Sequence, residues 1–476
     1  MSEPVTNLTA HPWFFCGIGG SGMLPLALIL RGHGATIAGS DRSRDQGRSP
    51  EKFAWLESLG IALHPQDGSG IVSPDQVLVA SAAVEETVPE VVRAGELGCA
   101  RMSRAELLAM LFNAASHGIA VGGTSGKSTV TGMLGWIMTS AGRDPTIMNG
   151  AVMKNFVAPD APFASARVGR GETFVSEVDE SDGSIALYRP AVAVLGNVSL
   201  DHKSLDELRA LFGDFLSASG AAAINLDDPE SIALLPRAHR TLTFAVHARA
   251  DLSAMPDSIV ERTDAIAATL HDARDGSNHA LMLKVPGRHN LSNALAAVAG
   301  AALAGVPVSE AVAALATFTG LARRFDIVGT SPAGVTVIDD FGHNPEKIAA
   351  TLATLKAHPG RVIAFFQPHG FGPLKKMGRE LAEVFATRLD RDDVTILCDP
   401  VYFGGTVNRE VGSAEVTAMI EAAGGNAEHI PDRAACADRI VALARPGDRP
   451  GTRIVVMGAR DDPLTAFARE ILARLA

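Results

Sequence analysis

The sequence predicts an α/β protein of about three domains built on parallel sheets. The chain has 476 residues, which is too long for a single hydrophobic core. Short apolar runs alternate with helical patterns along most of the chain, as parallel strands joined by helices do. Glycine-rich segments at 17–22 and 122–126 follow two of the apolar runs. Such turns bind phosphate groups where a strand leads into a helix.

Hydrophobic periodicity places these elements in three sections, with boundaries near residues 113 and 321. The predicted strands are 13–16, 35–38, 76–80, 118–121, 173–178, 191–195, 335–338, 362–366, 394–397 and 454–457. The predicted helices are 21–31, 103–112, 130–138 and 288–304. The sequence becomes polar between about 245 and 278, which favours hairpins and loops.

Charge and cysteine content exclude several function classes. Asp plus Glu outnumber Lys plus Arg by 53 to 42, so the net charge of -11 argues against nucleic acid as the main partner. The four cysteines lack the spacing of a zinc site or a disulfide scaffold, which predicts reduced thiols. Residues 13–30 carry no charge, but four glycines and Pro25 interrupt them, and Glu3 stands where a signal peptide is basic. We expect a cytoplasmic protein without stable membrane insertion.

The strongest local signal is the run Gly-Gly-Thr-Ser-Gly-Lys-Ser-Thr at 122–129. Its glycines let backbone N–H groups surround phosphate oxygens, Lys127 can reach the terminal phosphates, and the Ser128 hydroxyl can ligate Mg²⁺. The generic pattern has a glycine at the position of Val121, so a glycine-rich turn without a ligand is the alternative. The predicted nucleotide contacts are Gly123, Thr124, Ser125, Gly126, Lys127, Ser128 and Thr129.

Acidic residues and one histidine follow the next two predicted strands. Glu177, Asp179, Glu180 and Asp182 come at the end of the strand at 173–178, and His202 follows the strand at 191–195. Phosphoryl transfer requires neutralisation of the phosphate charge, and carboxylate and imidazole groups can hold the metal ion that does this. A solvated loop is the alternative for the acidic run, and a packed or surface side chain is the alternative for His202.

The loop sequence Gly-Thr-Ser-Gly-Lys-Ser-Thr resembles the nucleotide loop of the Mur ligase and folylpolyglutamate synthetase superfamily. The segments at 287–293, 322–326 and 339–345 resemble other Mur ligase motifs, as do the glycine run at 17–22 and the Gly-Ser-Asp at 39–41. Taken together they cover nearly the whole chain. The resemblance implies a Rossmann-like UDP-substrate-binding domain at 1–113, a central P-loop ATPase-type domain at 114–321 and a Rossmann-like C-terminal ligase domain at 322–476.

The same resemblance implies roles for individual residues. The implied metal ligands are Ser128, Glu177 and His202. The catalytic residues are Lys127, Glu177, His202, Arg324 and His343. Further nucleotide contacts are His289, Asn290, Asn293, Arg324 and Asp340. The UDP-substrate contacts are Gly17, Ile18, Gly19, Gly20, Ser21, Gly22, Ser40, Asp41, Ser81 and His369.

The implied reaction is ATP- and Mg²⁺-dependent amide formation between a UDP-linked muramyl carboxylate and the amine of an amino acid or peptide. Addition of L-alanine to UDP-N-acetylmuramate through an acyl phosphate is the first interpretation. Gly370 and Pro373 stand where alanine-adding enzymes carry arginines, and Lys-Lys-Met-Gly at 375–378 resembles the murein tripeptide ligases. A tripeptide ligase and a non-catalytic homologue are therefore alternatives.

Structural roles for three of these residues and a second enzyme class remain as alternatives. A helix cap, a surface ion pair and a turn are the structural alternatives for Asn290, Arg324 and Asp340 respectively. The pattern G-x-G-x-x-G at 17–22, taken alone, predicts a dinucleotide-linked oxidoreductase. We expect a monomer or a homodimer.

Overall fold

The structure, a computed structural model, describes residues 7–200, 203–401, 411–444, 451–459 and 463–476. Internal contacts divide the chain into two compact units. The first comprises Met1–Ile259, Ala268–Leu283 and Leu291–Thr319, and the second comprises Val260–Ala267, Lys284–Asn290 and Gly320–Ala476.

The first sheet of unit 1 is wholly parallel, with the strand order β3-β2-β1-β4-β5. Trp13 and Phe15 pack into one hydrophobic cluster and Phe14 and Cys16 into another, because successive side chains of a strand point to opposite faces. Both faces of β1 are thus covered. The elements are β1 (Trp13–Cys16), α1 (Met23–Gly32), β2 (Ile37–Ser40), α2 (Arg42–Asp45), α3 (Pro50–Ser58), β3 (Ala62–His64), β4 (Val77–Ala80), α4 (Pro89–Leu97), β5 (Ala100–Ser103) and α5 (Arg104–Asn113).

The middle sheet places β6 between β9 and β10, with all three strands parallel. The carboxyl ends of these strands therefore meet at one edge, where ligands of open α/β sheets bind. The elements are β6 (His117–Gly122), α6 (Lys127–Ser140), β7 (Thr146–Met148), β8 (Ala166–Arg167), β9 (Thr173–Glu177), β10 (Val192–Leu195), α7 (Leu205–Ser217), β11 (Ala221–Asn225), α8 (Pro229–Leu234), β12 (Thr241–Ala245), β13 (Leu252–Ala254), β14 (Val260–Glu261), β15 (Ile266–Asp272), β16 (Ser277–Leu283), α9 (Arg288–Leu303) and α10 (Val308–Leu315).

The sheet of unit 2 has the order β17-β18-β22-β19-β20-β21, and only the edge strand β17 pairs antiparallel among its described strands. Its central strands are buried on both faces, as expected for parallel strands between helices. The elements are β17 (Asp326–Thr330), β18 (Thr336–Asp340), α11 (Pro345–Lys356), β19 (Val362–Gln367), α12 (Phe371–Arg388), β20 (Val394–Leu397), α13 (Ser413–Ala422), β21 (Ala427–His429), α14 (Arg433–Leu443), β22 (Arg453–Gly458) and α15 (Pro463–Arg474).

The predicted α/β class with parallel sheets is confirmed, and each predicted strand and helix overlaps an observed one. Two strands are displaced toward the carboxyl end, since β2 ends at Ser40 and β18 at Asp340 rather than two residues earlier. Pairing explains the first shift: Ser40 lies opposite Cys16, the last residue of β1. The polar region at 245–278 contains β13, β14 and β15, and β15 pairs antiparallel with the other two, as in the predicted hairpins. The domain boundaries at 113 and 321 stay a prediction.

The uncharged run at 13–30 is divided between β1 and the ten-residue helix α1. Within the described ranges, no helix is long and apolar enough to cross a membrane. All four cysteines are free thiols, as predicted.

Phe365 is fully buried in β19, and its ring centroid lies 4.8 Å from that of Phe467 on α15. We expect Phe365→Ala to destabilise unit 2 by about 3–5 kcal/mol, because it leaves a cavity. Amide hydrogen exchange of β19 and β22 should then accelerate by roughly a hundredfold or more. The control is Met419→Ala on α13, whose side chain is exposed. Unchanged protection in the Phe365 variant would contradict this packing.

Candidate active site

The loop between β6 and α6 has a backbone that only glycine adopts without strain. Gly123 has φ +132° and Gly126 has φ +84°, in the region that L side chains avoid. A β-carbon on Gly126 would lie 2.5 Å from Oδ1 of Asn293. Asn293, a predicted nucleotide contact, is therefore placed at the phosphate loop.

The segment that follows β10 fixes this loop. The Thr124 N–H donates to the Asn197 carbonyl at 3.0 Å, and the Ser125 N–H donates to Asn197 Oδ1 at 2.9 Å. The Thr124 hydroxyl donates to the Ser199 carbonyl at 3.1 Å. Sequence reasoning did not single out Asn197, although it lies in the run after β10 that led to His202.

Lys127 and Ser128 each contact a carboxylate at the end of β9. Lys127 Nζ donates to Glu180 Oε2 at 2.7 Å and to the Gly123 carbonyl at 2.7 Å. The Ser128 hydroxyl donates to Glu177 Oε2 at 2.7 Å. These contacts follow from strand order, because Glu177 ends β9 opposite Val121 of β6.

Two of the three predicted metal ligands, Ser128 and Glu177, are thus adjacent. The third, His202, lies outside the described residues. In the part of the chain that the structure describes, no three His, Cys, Asp or Glu side chains form a group that could hold a metal ion. A hydroxyl and a carboxylate are oxygen donors, which Mg²⁺ prefers, and this ion commonly retains waters as its other ligands.

The acidic loop, residues 178–183, lies near two cations. Burial raises the pKa of Asp179, but the hydrogen bonds from Ser181 and the charges of Lys127 and Arg104 outweigh it, so that its pKa lies below the ordinary value. Asp179 therefore stays ionised at neutral pH. Glu180, which sequence reasoning left among the general acidic candidates, is the direct partner of Lys127.

The glycine loop at 17–22 is anchored to the end of β2. The N–H groups of Gly17 and Ile18 donate to the Ser40 carbonyl, and the Gly19 N–H donates to Asp41 Oδ2 at 2.8 Å. Asp41 Oδ1 accepts from Ser43 N and caps α2. Among the described residues the Ser40 hydroxyl is buried without a hydrogen-bond partner, which suits a ligand contact at this edge.

The predicted contact Ser81 follows β4 and lines a surface pocket. Arg101 and Ser103, at the neighbouring strand β5, also line it. Arg101 forms an ion pair with Glu86 across this opening, at 2.7 Å. The pocket lies at the carboxyl ends of β4 and β5, the same edge of the sheet that carries the glycine loop.

In unit 2, the segment Arg-Arg-Phe at 323–325 has a strained backbone. Arg323 has φ +60° and Phe325 has φ +48°, and such conformations cost about 1–3 kcal/mol each in residues other than glycine. The Phe325 N–H donates to Asp340 Oδ2 at 2.8 Å, which helps to hold it. The Arg324 guanidinium lies 4.4 Å from the centre of the Phe341 ring, a cation–π contact that orients it.

The Asp340 carboxylate is largely occupied by groups of its own domain. Oδ1 accepts from Gly342 N at 2.8 Å and from the Thr351 hydroxyl at 3.1 Å, in addition to the Phe325 contact of Oδ2. The turn that the sequence offered as the alternative reading of Asp340 is therefore present. Its predicted contact with ATP stays a prediction.

His343 and His369 lie side by side, with ring centroids 5.4 Å apart. His343 Nδ1 contacts the Phe341 carbonyl at 2.8 Å, so that nitrogen carries the proton. Burial, together with the charge of Lys347, lowers the pKa of His343 to about 3. Its imidazole is neutral at physiological pH.

The first turn of α9 contains two predicted nucleotide contacts. His289 is exposed, whereas Asn290 is buried and donates from Nδ2 to the Pro286 carbonyl at 2.7 Å. In this contact the Asn290 side chain donates to a carbonyl, whereas a helix cap accepts from a backbone N–H, so the cap considered as the alternative for Asn290 stays a prediction.

Residues 370–373, where the sequence differs from the alanine-adding enzymes, lie at the start of α12. Gly370 precedes the helix with φ +135°, and Pro373 lies in its first turn, where the missing N–H is tolerated. The side chains of Lys375 and Lys376 are exposed.

Comparison with known proteins covers the same three sections. The Mur ligase family catalytic domain matches residues 14–116, the Mur ligase middle domain matches 121–301, and the Mur ligase glutamate ligase domain matches 323–460. A UDP-N-acetylmuramate--L-alanine ligase of Pelotomaculum thermopropionicum is 36% identical, over 94% of each chain. One of Cereibacter sphaeroides is 35% identical, over 98% of this chain and 96% of the relative.

Solved structures agree with this fold. The UDP-N-acetylmuramate-alanine ligase of Thermotoga maritima aligns with a TM-score of 0.78 at 24% identity, covering 98% of this chain and 99% of that one. A murein peptide ligase of Psychrobacter arcticus aligns with a TM-score of 0.69 at 24% identity, covering 98% of both chains. The predicted Mur architecture is thus confirmed, and the chain belongs to the Mur ligase family of ATP-dependent ligases.

Proposed function

We propose that this protein uses ATP to join the carboxylate of UDP-N-acetylmuramate to the amine of L-alanine in peptidoglycan synthesis. The observation that carries the proposal is the similarity to relatives named for this reaction, at 33–38% identity over 78–98% of this chain. The free thiols and the lack of a membrane-spanning helix among the described residues fit a reaction in the cytoplasm.

In the first step the γ-phosphoryl group of ATP passes to the substrate carboxylate and gives an acyl phosphate and ADP. The Gly123–Thr129 backbone would cradle the phosphates, and Lys127 would leave Glu180 to bind them, because a triphosphate offers more negative charge than one carboxylate. Ser128 and Glu177, with His202, would hold Mg²⁺, which neutralises charge on the transferring group. Arg324 would supply a further positive charge to the transferring group.

In the second step the uncharged amine attacks the acyl phosphate, and phosphate leaves. The amine must lose a proton, and His343, whose imidazole is already neutral, has a nitrogen available to accept one. Its low pKa makes it a weak base, so we assign His343 a hydrogen-bonding role toward the amine, and the departing phosphate takes up the proton. His369 lies beside it and would contribute to the same surface.

A murein tripeptide ligase is the second candidate function. Gly370 and Pro373 give the first turn of α12 no cation for an amino-acid carboxylate, and Lys375 and Lys376 are exposed further along the helix. A site without that cation suits an amine substrate whose carboxylate lies further along the molecule, as in a tripeptide. A non-catalytic homologue is less well supported, because Lys127, Ser128 and Glu177 are all present and lie at the start of α6 and the end of β9, where phosphate and metal would bind.

Lys127→Ala should lower kcat by about 10²–10³-fold, since it removes a preformed charge from the transferring phosphoryl group. ADP release with UDP-N-acetylmuramate and L-alanine measures the effect. Lys284→Ala, which removes an exposed lysine outside the loop, serves as the control and should retain full activity. Equal rates for the Lys127 variant and the wild type would exclude this loop from catalysis.

The amine substrate is tested by measuring ADP release with UDP-N-acetylmuramate against L-alanine, glycine, L-serine and the tripeptide L-Ala-γ-D-Glu-meso-diaminopimelate. We expect the highest kcat/KM with L-alanine. Turnover with the tripeptide and none with any amino acid would replace the first function with the second. Absence of turnover with every amine would favour the non-catalytic homologue.

His343→Gln should leave the acid limb of the kcat/KM profile at its wild-type midpoint, because a group with a pKa of about 3 does not titrate between pH 5 and 9. The unfolded chain, with an ordinary histidine pKa of about 6.5, binds the proton first. Wild-type stability should therefore fall more steeply than that of the variant as pH decreases below about 6.5. Loss of an acid limb near pH 6.5 in the variant would show that His343 ionises in the free enzyme and would contradict the lowered pKa.

A further inference from the structure

The chain passes from unit 1 into unit 2 for the last time between Thr319 and Gly320. The residues just before this passage, Thr317–Thr319, follow α10 and belong to no helix or strand. Arg324, the predicted catalytic arginine, comes five residues after Thr319, so at most about 18 Å of extended chain separates the two residues. The position of Thr319 therefore limits where Arg324 can lie.

The side chain of Asn155 holds the segment Thr317–Thr319. Asn155 Nδ2 donates to the Thr317 carbonyl at 2.9 Å. Asn155 Oδ1 accepts from the Thr319 N–H at 2.8 Å and from the Thr319 hydroxyl at 2.9 Å. The planar carboxamide thus uses its donor and its acceptor on two residues at once. All of these groups belong to unit 1.

Helix α6 contacts the same segment through Trp136. The indole Nε1 donates to the Ala314 carbonyl and to the Thr317 hydroxyl, at 3.0 Å each. The Trp136 ring also packs edge-on against Phe156, with ring centroids 5.7 Å apart. Because α6 begins at Lys127, the residues that lead into unit 2 are joined to the helix that follows the phosphate loop.

Residues 149–156, which we call the bridging segment, also reach the predicted metal ligands. Asn149 is fully buried, and its Nδ2 donates to the Ser128 carbonyl at 2.9 Å. A β-carbon on Gly150 would overlap with Oε1 of Glu177, so the Glu177 carboxylate packs against the backbone of this segment. One end of the bridging segment thus contacts Ser128 and Glu177, and the other end holds the residues that precede unit 2.

We propose that Asn155 is a positioning residue for the ligation reaction. It fixes Thr317–Thr319 relative to Ser128 and Glu177, and with them the point from which the chain carries Arg324. The inference rests on the proposed function, in which Arg324 adds positive charge to the transferring phosphoryl group. A displacement of about 1 Å in an active site lowers a rate by as much as about a hundredfold, so loss of this anchor has a measurable cost.

The test is steady-state kinetics of the full-length Asn155→Ala variant, with ADP release measured as ATP, UDP-N-acetylmuramate and L-alanine are varied. We expect kcat to fall about tenfold, because Arg324 loses its fixed starting point. KM for ATP should change by less than about twofold, because the phosphate loop is intact. The control is Asn278→Ala on β16, which removes an exposed carboxamide paired with His271 and should leave kcat unchanged.

Thr319 supplies a second and independent pair of variants. Thr319→Ala removes the hydroxyl that donates to Asn155 and should lower kcat by about threefold, in line with the loss of one hydrogen bond. Thr319→Ser keeps the hydroxyl and should retain the wild-type kcat. Thr319 is exposed, so neither change disturbs the core. A Thr319→Ser variant as slow as Thr319→Ala would contradict a role for this hydroxyl.

The link to Arg324 is measured by a double-mutant cycle. In the Arg324→Ala background, Asn155→Ala should have little further effect on kcat, because both substitutions then act on the same group. Fully additive losses would refute the positioning of Arg324 by Asn155.

The remaining outcomes separate this inference from a structural role and from the proposed function. A lower melting temperature of the Asn155→Ala variant with unchanged kcat would limit Asn155 to stabilising the end of α10, and it would overturn the inference. Wild-type kcat in the Arg324→Ala variant would also overturn it. Both results leave the proposed function intact. No turnover by the wild-type protein with any amine would overturn the proposed function and the inference with it.

Discussion

The candidate active site depends on the contact between the start of α6 and the end of β9. Ser128 donates to Glu177 and Lys127 donates to Glu180, each at 2.7 Å, so the phosphate loop is held by the carboxylates that border it. Glu180 is buried, and a buried carboxylate is stable as an ion only with such a partner. If Lys127 binds phosphate as proposed, nucleotide binding exchanges the Glu180 carboxylate for a phosphate at this lysine. The free protein keeps this lysine positioned without leaving its charge unpaired.

A second constraint lies in unit 2, where strain is concentrated near a predicted catalytic arginine. Arg323 and Phe325, on either side of Arg324, adopt left-handed backbone conformations, which are unfavourable for residues other than glycine. Asp340 helps to maintain this geometry through the Phe325 N–H, and Phe341 provides a ring face to the guanidinium. The arrangement holds Arg324 in one orientation, and pre-organisation of that kind is what charge stabilisation in a transition state requires.

Much of the fold and of the phosphate loop could be predicted from the sequence, because the signals are local. Apolar runs that form strands and the motif Gly-Lys-Ser-Thr each span only a few consecutive residues. The hydrogen-bond partners of those residues lie far away in the sequence, so the contacts could not be predicted from it. Nothing in the spacing of Lys127 and Glu180, or of Asn155 and Thr319, predicts their pairing, which arises from the order of β9 beside β6 and from the packing of α10 against α6. Asp340 illustrates the opposite case, since its motif was recognised but its hydrogen bonds within the turn required the structure. The role of His202 as a metal ligand rests on the family resemblance alone, because this residue lies outside the described residues.

In the proposed reaction the γ-phosphoryl group of ATP passes to a carboxylate before the amide forms. The most direct measurement uses UDP-N-acetylmuramate with both carboxylate oxygens labelled as ¹⁸O, in a reaction with ATP and L-alanine. We expect each turnover to move one labelled oxygen into inorganic phosphate, because the acyl phosphate breaks at its carbonyl carbon. Label in AMP, or phosphate free of label while the amide accumulates, would contradict it.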